Sequence, residues 1–131
     1  MIFVDSNVPM YLIGASDLHR SEARQLLERC IDNGERLVTD VEVFQEILHR
    51  YVAIRRHDVI QPAFDALRRV VDDIFPIEDG DVERAKEIVL VSRRLSARDA
   101  LHLAIMENHS VAKIMSFDTG FDGYPGVSRV S

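Results

Sequence analysis

Two aspartates follow apolar runs that are typical of buried strands. Asp5 comes directly after the run 2–4, and Asp118 comes shortly after the run 111–115. Strand-forming residues without polar alternation predict short strands buried on both faces of a sheet. Ligands of open α/β sheets bind beyond the carboxyl ends of parallel strands. If the two strands are neighbours, both carboxylates are candidate metal ligands at one edge.

Two further acids belong to predicted helices. Glu46 lies in the second turn of a helix, toward the edge of its apolar stripe. Asp99 opens a helix over residues 99–106 that is apolar almost all round, and an ionised carboxylate held in such an interior needs a cation or several donors. Four carboxylates without Cys or His form a hard oxygen site, which favours Mg²⁺, with Mn²⁺ as a substitute, over Zn²⁺.

Each of these acids also has a structural interpretation, and spacing alone leaves both open. Asp5 or the nearby Asn7 can cap the following helix, and Asp99 can take part in a helix cap. Asp118 can form an Asx-turn ahead of Gly120. A second cap is predicted where Thr39 precedes Glu42 by three residues, the spacing of a capping box. His102, one turn after Asp99, is interpreted as a hydrogen-bonded core residue.

The elements that must position these acids alternate between strands and helices. Strands are predicted at 2–4, 37–38 and 111–115, with additional segments at 75–77 and 127–130. Helices are predicted over roughly 9–13, 17–32, 39–51, 62–74, 79–91 and 96–108, with Ile31, Leu48, Val71, Ile74, Val82 and Val91 among their inward-facing residues and Asp79 or Asp81 as one N-cap. This order predicts a single domain over residues 1–131, a three-layer α/β/α fold around a parallel sheet.

Composition narrows the class of protein. The 131 residues are 47% hydrophobic and 29% charged, ordinary values for a globular chain, and no uncharged run is long enough to span a membrane. The single Cys30, on the predicted apolar side of a helix, excludes a disulfide framework and fits a reducing cytoplasm. The net charge of −6 argues against a broadly basic nucleic-acid surface, but it leaves room for a nuclease whose acids hold metal ions.

Four stretches together resemble the PIN-domain nucleases, particularly VapC-type toxins. They are residues 4–7, residues 43–48 around Glu46, residues 98–104 and residues 116–118, of which the Asp-Ala-Leu-His-Leu-Ala stretch from Asp99 is the most specific. The resemblance implies a metal-dependent endoribonuclease in which Asp5, Glu46, Asp99 and Asp118 form an acidic quartet. It further implies supporting positions at Ser116 and Asn7, and a secondary acid at Asp122.

The same resemblance implies partners and a substrate. Such proteins cut structured RNA such as tRNA or rRNA, pair with a small VapB-type antitoxin and form homodimers. The alternatives are a PIN-type RNA-processing nuclease that is not a toxin, an aspartyl-phosphate phosphohydrolase and a metal-binding switch module. The phosphohydrolase is disfavoured because Asn7 stands where its second acid is expected and no lysine partner is evident. A histidine acid/base ribonuclease is disfavoured because no motif pairs the histidines.

Overall fold

Five parallel strands form one sheet in the computed structural model, which describes residues 1–131. The strands are β1 (Ile2–Val4), β2 (Leu37–Asp40), β3 (Asp73–Phe75), β4 (Lys113–Met115) and β5 (Ser128–Val130). Their order across the sheet is β3-β2-β1-β4-β5, and every neighbouring pair is parallel. β1 is therefore central, and all three of its residues are buried, as its continuous apolar run predicts.

Six α-helices flank the sheet. They are α1 (Asn7–Ile13), α2 (Asp17–Asp32), α3 (Val41–Ala53), α4 (Ile60–Val70), α5 (Asp79–Val91) and α6 (Ala97–Asn108). The predicted three-layer α/β/α fold is confirmed. Cys30 lies on the buried side of α2, as predicted. No helix combines the length and the apolar character that crossing a membrane requires.

The order of the strands reverses between β1 and β4, and this reversal creates the edge that matters for function. β2 and β3 lie on one side of β1 in the sheet, whereas β4 and β5 lie on the other side. Phe3 pairs with Ile114, and the backbone N–H of Asp5 donates to the carbonyl of Met115 over 3.0 Å. The residues that follow the two strands thus emerge side by side at a topological switch point.

The predicted capping box at the start of α3 is wrong. β2 continues through Asp40, two residues further than predicted, so α3 begins at Val41. Thr39 belongs to the strand, and its hydroxyl donates to the carbonyl of Val4 over 2.9 Å. Asp40 is the N-cap, since its Oδ1 accepts the backbone N–H of Val43 at 2.9 Å.

The start of α5 also differs from the prediction. Its N-cap is Glu78, not Asp79 or Asp81. Asp81 instead lies in the first turn, where its Oδ2 accepts the backbone N–H of Glu78 and its Oδ1 accepts the side-chain amide of Asn108. The buried Asp81 thereby joins the start of α5 to the end of α6.

Several apolar residues predicted to face inward are exposed. In α5, Val82 is 52% and Val91 is 85% exposed, because the helix packs on α6 through the face that carries Ala85 and Ile88. Ile31 and Leu48 are likewise exposed. The predicted fourth helix is too long at its end, since Val71 and Ile74 fall outside α4 and Ile74 belongs to the edge strand β3.

Candidate active site

Asp5 is a buried carboxylate at the switch point between β1 and β4. It is 5% exposed. Its Oδ1 accepts the backbone N–H of Ser6 at 2.8 Å, and its Oδ2 accepts the hydroxyl of Ser116 at 2.7 Å. Burial raises the pKa of Asp5 to about 6, although the Ser116 hydrogen bond and the nearby His102 act in the opposite direction. Asp5 is therefore costly to ionise in the metal-free protein.

Ser116 and Asn7 hold the ends of the two central strands together. The Ser116 hydroxyl, which donates to Asp5, also accepts the Asn7 amide at 3.1 Å and the backbone N–H of Asp118 at 3.0 Å. The Asn7 carbonyl oxygen accepts the backbone N–H of Phe117 at 3.2 Å. Neither Asp5 nor Asn7 caps α1, whose N-cap position makes no side-chain capping bond. The capping interpretation of these two residues is thus wrong.

Glu46 reaches the same edge from the second turn of α3. Its Oε2 accepts the hydroxyl of Ser6 at 2.8 Å, and its Oε1 lies 2.5 Å from Nε2 of His102. Burial alone would raise the pKa of Glu46, but the hydrogen bonds from His102 and Ser6 lower it. Ser6 links Glu46 to Asp5, since its backbone bonds one carboxylate and its side chain the other.

His102 bridges two acids in the protein interior. The side chain is fully buried, and its Nδ1 lies 2.7 Å from Oδ2 of Asp40 while its Nε2 contacts Glu46. Burial disfavours a charged ring, but Asp40 and Glu46 outweigh it and raise the pKa of His102 well above its usual value. An imidazolium donates from both nitrogens, so the ring fixes the orientation of Glu46 while Asp40 fixes the ring.

The sequence-based interpretation of His102 was therefore incomplete. The residue is hydrogen-bonded and buried, as predicted, yet its link to Glu46 was missed. Asp40 was missed as well. The prediction ended β2 two residues too early, so Asp40 was not recognised as the end of a strand. The sequence contained one signal for this role of His102: it is the lone polar residue within the buried face of α6, three positions after Asp99.

Asp99 and Asp118 complete the acidic edge, and both also serve local structure. Asp99 is half-buried in the first turn of α6, where Ser96 caps its backbone N–H at 3.1 Å. Burial and the charges of Glu46 and Asp118 raise the pKa of Asp99, so these carboxylates are close enough to repel one another. Asp118 is exposed, and its Oδ1 accepts the backbone N–H of Gly120 at 2.9 Å in the predicted Asx-turn.

Asp122 is engaged in an ion pair rather than directed at the other acids. Both of its oxygens accept from the guanidinium of Arg129 in β5, at 2.8 and 3.2 Å. Arg129 also donates to the carbonyl of Ser116 at 3.2 Å, and Arg94 donates to the carbonyl of Gly120 at 2.7 Å. The Asp122–Arg129 pair thus supports the segment that carries Ser116 and Asp118, a role that the spacing alone did not reveal.

A divalent cation fits this set of donors. Ligand atoms of Asp5, Glu46 and His102 all lie within 4.8 Å of one another. Both His102 nitrogens already face carboxylates, so the donors left for a cation are oxygens. Burial is the main cause of the raised pKa values of Asp5 and Asp99, and a bound cation would favour the ionised form of both acids. The buried cluster can therefore bind a metal ion.

The raised pKa of Asp5 predicts how stability depends on pH in EDTA. The folded protein binds the Asp5 proton more tightly than the unfolded chain, so the free energy of unfolding falls as pH rises from the usual Asp pKa of 3.8 to about 6. Two units of pKa correspond to about 3 kcal/mol. Asp5→Asn lacks this titration, so we expect its stability to rise relative to the parent over that range, measured by urea unfolding. A constant difference between the two proteins across the range would contradict this.

Comparisons with known proteins agree with the fold. The family model described as PIN domain matches residues 2–127, so the protein is a PIN domain. The chain is 59% identical over all 131 residues to ribonuclease VapC13 of Mycobacterium tuberculosis, covering 100% of both chains. It therefore belongs to the VapC ribonucleases of the PIN-domain family.

Solved structures show the same fold at low sequence identity. VapBC2 from Rickettsia felis, bound to a DNA fragment from its promoter, superimposes with a TM-score of 0.75 at 14% identity over 100% of both chains. M. tuberculosis VapC20, described as a sarcin-ricin loop cleaving toxin, has a TM-score of 0.70 at 22% identity, over 97% of this chain and 98% of that one. At such identities the similarity concerns the fold.

Proposed function

We propose that this protein is a VapC-type toxin that acts as a metal-dependent endoribonuclease, with residues 1–131 forming one nuclease domain. The observation that carries the proposal is the pairing of the buried Asp5 with the half-buried Glu46 through Ser6, at the edge where β1 and β4 end. The 59% identity to a VapC ribonuclease supports the same activity. The substrate of this protein would be structured RNA such as tRNA or rRNA, and the protein would therefore act in the cytoplasm.

We propose Asp5, Glu46, Asp99 and Asp118 as the residues that hold the metal ion. All four donors are carboxylates, which suit Mg²⁺, with Mn²⁺ as a substitute. When bound, such an ion lowers the pKa of a water molecule and neutralises charge on the phosphate that is attacked. With such an ion held by these acids, water would displace the 3′-oxygen from phosphorus in line, and the products would be a 5′-phosphate and a 3′-hydroxyl.

The chain's own residues prepare this site. Ser116 and Asn7 keep Asp5 and the segment 116–118 in fixed positions, while Ser6 and His102 orient Glu46. This preorganisation matters because a catalytic group must be held close to its productive geometry before substrate arrives. Arg98 lies near enough to Glu46 for its charge to lower the pKa of that acid, and it is exposed where an RNA phosphate would approach.

The rival mechanisms lack the groups they need. A histidine acid/base pair acting through the ribose 2′-hydroxyl requires accessible imidazoles at the site, whereas His102 is fully buried between two carboxylates. An aspartyl-phosphate enzyme needs a lysine near Asp5. The two lysines of the chain, Lys86 and Lys113, both form ion pairs elsewhere, and Lys113 opens β4 at the opposite end from the acids.

We also propose a VapB-type antitoxin and a second copy of the chain as protein partners. The antitoxin is supported by the similarity to VapBC2, a toxin–antitoxin structure. The homodimer is supported by α5, whose exposed Val82 and Leu90 line one apolar depression together with Val89 and Leu101. Apolar residues concentrated on one helix are typical of protein interfaces. A monomer at every concentration in analytical ultracentrifugation would contradict the dimer.

The proposed activity is tested with purified protein freed of antitoxin. It is incubated with a panel of tRNAs, rRNA fragments and unstructured oligonucleotides, in Mg²⁺, in Mn²⁺ and in EDTA. We expect cleavage of one or a few structured RNAs, with 5′-phosphate products, in either metal and none in EDTA. Equal cleavage of every single-stranded oligonucleotide would contradict a structured substrate, and phosphatase activity or tight Mg²⁺ binding without RNA cleavage would contradict the nuclease itself.

A further inference from the structure

Three aromatic rings form a stack beside the acidic edge. Tyr11 of α1 lies parallel to Phe117, with ring centroids 4.5 Å apart and planes 15° apart. Tyr11 also stacks on His19 of α2, with centroids 4.1 Å apart and planes 5° apart. Phe117 stands between Ser116 and Asp118 in the sequence. The stack therefore begins at the segment that carries two of the proposed site residues and ends at the exposed ring of His19.

Hydrogen bonds fix the Phe117 end of this stack. Asn7 lies one helical turn before Tyr11, so the two side chains share one face of α1. The Asn7 carbonyl oxygen accepts the backbone N–H of Phe117, while the Tyr11 ring covers the Phe117 side chain. The ring of Phe117 is thus held in one orientation before any ligand arrives, which reduces the entropy that binding would cost.

A cavity of about 300 Å³ adjoins Phe117 on the side of α2. Its polar lining includes Glu22 and Gln25, which offer a carboxylate and an amide, and Arg29, whose guanidinium also donates to the carbonyl of the lining residue Ser131 at 3.4 Å. Proteins recognise unpaired RNA bases by combining these two features, an aromatic face for stacking and polar groups for the edge of the base. A purely apolar peptide would leave the polar lining without partners.

We propose that Phe117 and this cavity bind an unpaired nucleobase of the RNA, from a nucleotide next to the phosphate that is cut. The proposal rests on the proposed ribonuclease function. Phe117 stands between Ser116, whose hydroxyl donates to Asp5, and Asp118, while its own ring lies against Tyr11 and lines the cavity at α2. A base on Phe117 would therefore lie on the α2 side of this segment, next to the residues that carry the acids, while the phosphate faces the acids.

The test uses the panel RNA that the parent cleaves, with an abasic site placed in turn at each nucleotide flanking the cut. We expect one abasic position to raise KM about 10-fold with kcat retained, in keeping with the loss of one base–aromatic stack. Phe117→Leu should raise KM about 10-fold for the intact RNA and should add no further loss for that abasic RNA, since the two changes remove the same contact. Phe117→Tyr keeps the ring and should behave as the parent.

Matched controls separate stacking from general damage. Phe64→Leu alters another half-buried phenylalanine, which packs edge-on against Phe44 in α3, and should leave KM unchanged. The Mn²⁺ affinity and melting temperature of Phe117→Leu report whether the neighbouring acids are disturbed. RNA affinity in EDTA, measured by fluorescence anisotropy, should show the same 10-fold loss without relying on cleavage.

Several outcomes would overturn the inference. One is an abasic scan of the parent in which no flanking position changes KM, a result that does not depend on how any variant folds. Another is a Phe117→Leu protein whose KM for the intact RNA equals that of the parent. A third is a Phe117→Leu protein whose KM rises further with the abasic RNA, by the full factor seen in the parent. Loss of antitoxin binding at unchanged RNA affinity would assign the surface to the protein partner instead. A parent that cleaves no RNA contradicts the proposed function itself, and this inference falls with it.

Discussion

Asp5→Asn is expected to lower the rate of RNA cleavage by at least about 100-fold, because loss of an inner ligand should cost no less than the 10–100-fold typical of outer-shell partners. The change replaces one oxygen of a buried carboxylate that both Ser6 and Ser116 orient. It removes the charge that attracts the metal ion but preserves the size and shape of the side chain. Single-turnover cleavage at saturating Mg²⁺ measures this effect separately from RNA binding.

The stability of Asp5→Asn shows whether the loss of cleavage comes from the active site or from unfolding of the protein. Burial raises the pKa of Asp5, so the ionised carboxylate weakens the metal-free fold at neutral pH, and Asp5→Asn removes that penalty. The variant should therefore melt in EDTA at or above the temperature of the parent while it loses cleavage. If Asp5→Asn cleaves RNA at the parental rate, Asp5 is not an active-site residue. If Asp5→Asn loses activity only because it unfolds, the result does not support a role for Asp5 in catalysis.

His102→Leu is expected to destabilise the protein by about 3–5 kcal/mol at neutral pH, the cost of breaking a buried ion pair by removing one partner. The leucine leaves the carboxylates of Asp40 and Glu46 in the interior without the ring that lies between them. Because the pKa of His102 is raised, its stabilisation is fully present below its ordinary pKa of 6.5 and declines only as pH rises through the higher value in the fold. Urea unfolding at neutral pH measures the loss.

Two controls distinguish this loss from a simple packing defect. His49→Leu makes the same substitution at an exposed position of α3 and should change stability by no more than about 0.5 kcal/mol. The His102→Leu deficit should shrink as pH falls toward 4, since Glu46, whose pKa His102 lowers in the parent, takes up a proton more readily in the variant. A deficit that is independent of pH would indicate lost packing rather than lost charge compensation.

The amino-acid sequence predicted the sheet and the edge that carries the acids better than it predicted the hydrogen bonds that hold those acids in place. Unbroken apolar runs identify β1 and β4, and the order of elements implies parallel strands. Asp5 and Asp118 were therefore expected at one edge if the two strands are neighbours, and the structure shows that β1 pairs with β4. The arrangement of His102, Asp40 and Glu46 could not be predicted in this way. Its members are separated by up to 62 positions along the chain, and only the packing of α6 against β2 and α3 brings them together.

Errors in the prediction have a common physical origin. Helical spacing identifies an apolar stripe but not which part of it meets a neighbour, so Val82 and Val91 of α5 were assigned to the core although the structure exposes them. Helix ends were misjudged where acids compete for one cap, as with Glu78 and Asp81. These errors leave the acidic edge unaffected because strand ends, not helix ends, position Asp5 and Ser116.

The most direct test of the account is a calorimetric Mn²⁺ titration of the parent, Asp99→Asn, Asp118→Asn and the control Asp122→Asn. Asparagine can still form the Asx-turn at position 118. At position 99 its amide oxygen can still accept a hydrogen bond from Ser96, as the Asp99 carboxylate does, so local structure is preserved. Asp122→Asn removes the charge of an acid that is paired with Arg129, and its amide oxygen can still accept from that guanidinium and support the segment 116–118. We expect Mn²⁺ affinity to fall at least about 10-fold in Asp99→Asn and Asp118→Asn, and to stay at the parental value in Asp122→Asn. Parental Mn²⁺ affinity in both Asp99→Asn and Asp118→Asn would mean that these residues serve only the cap and the turn, and it would contradict the shared metal site.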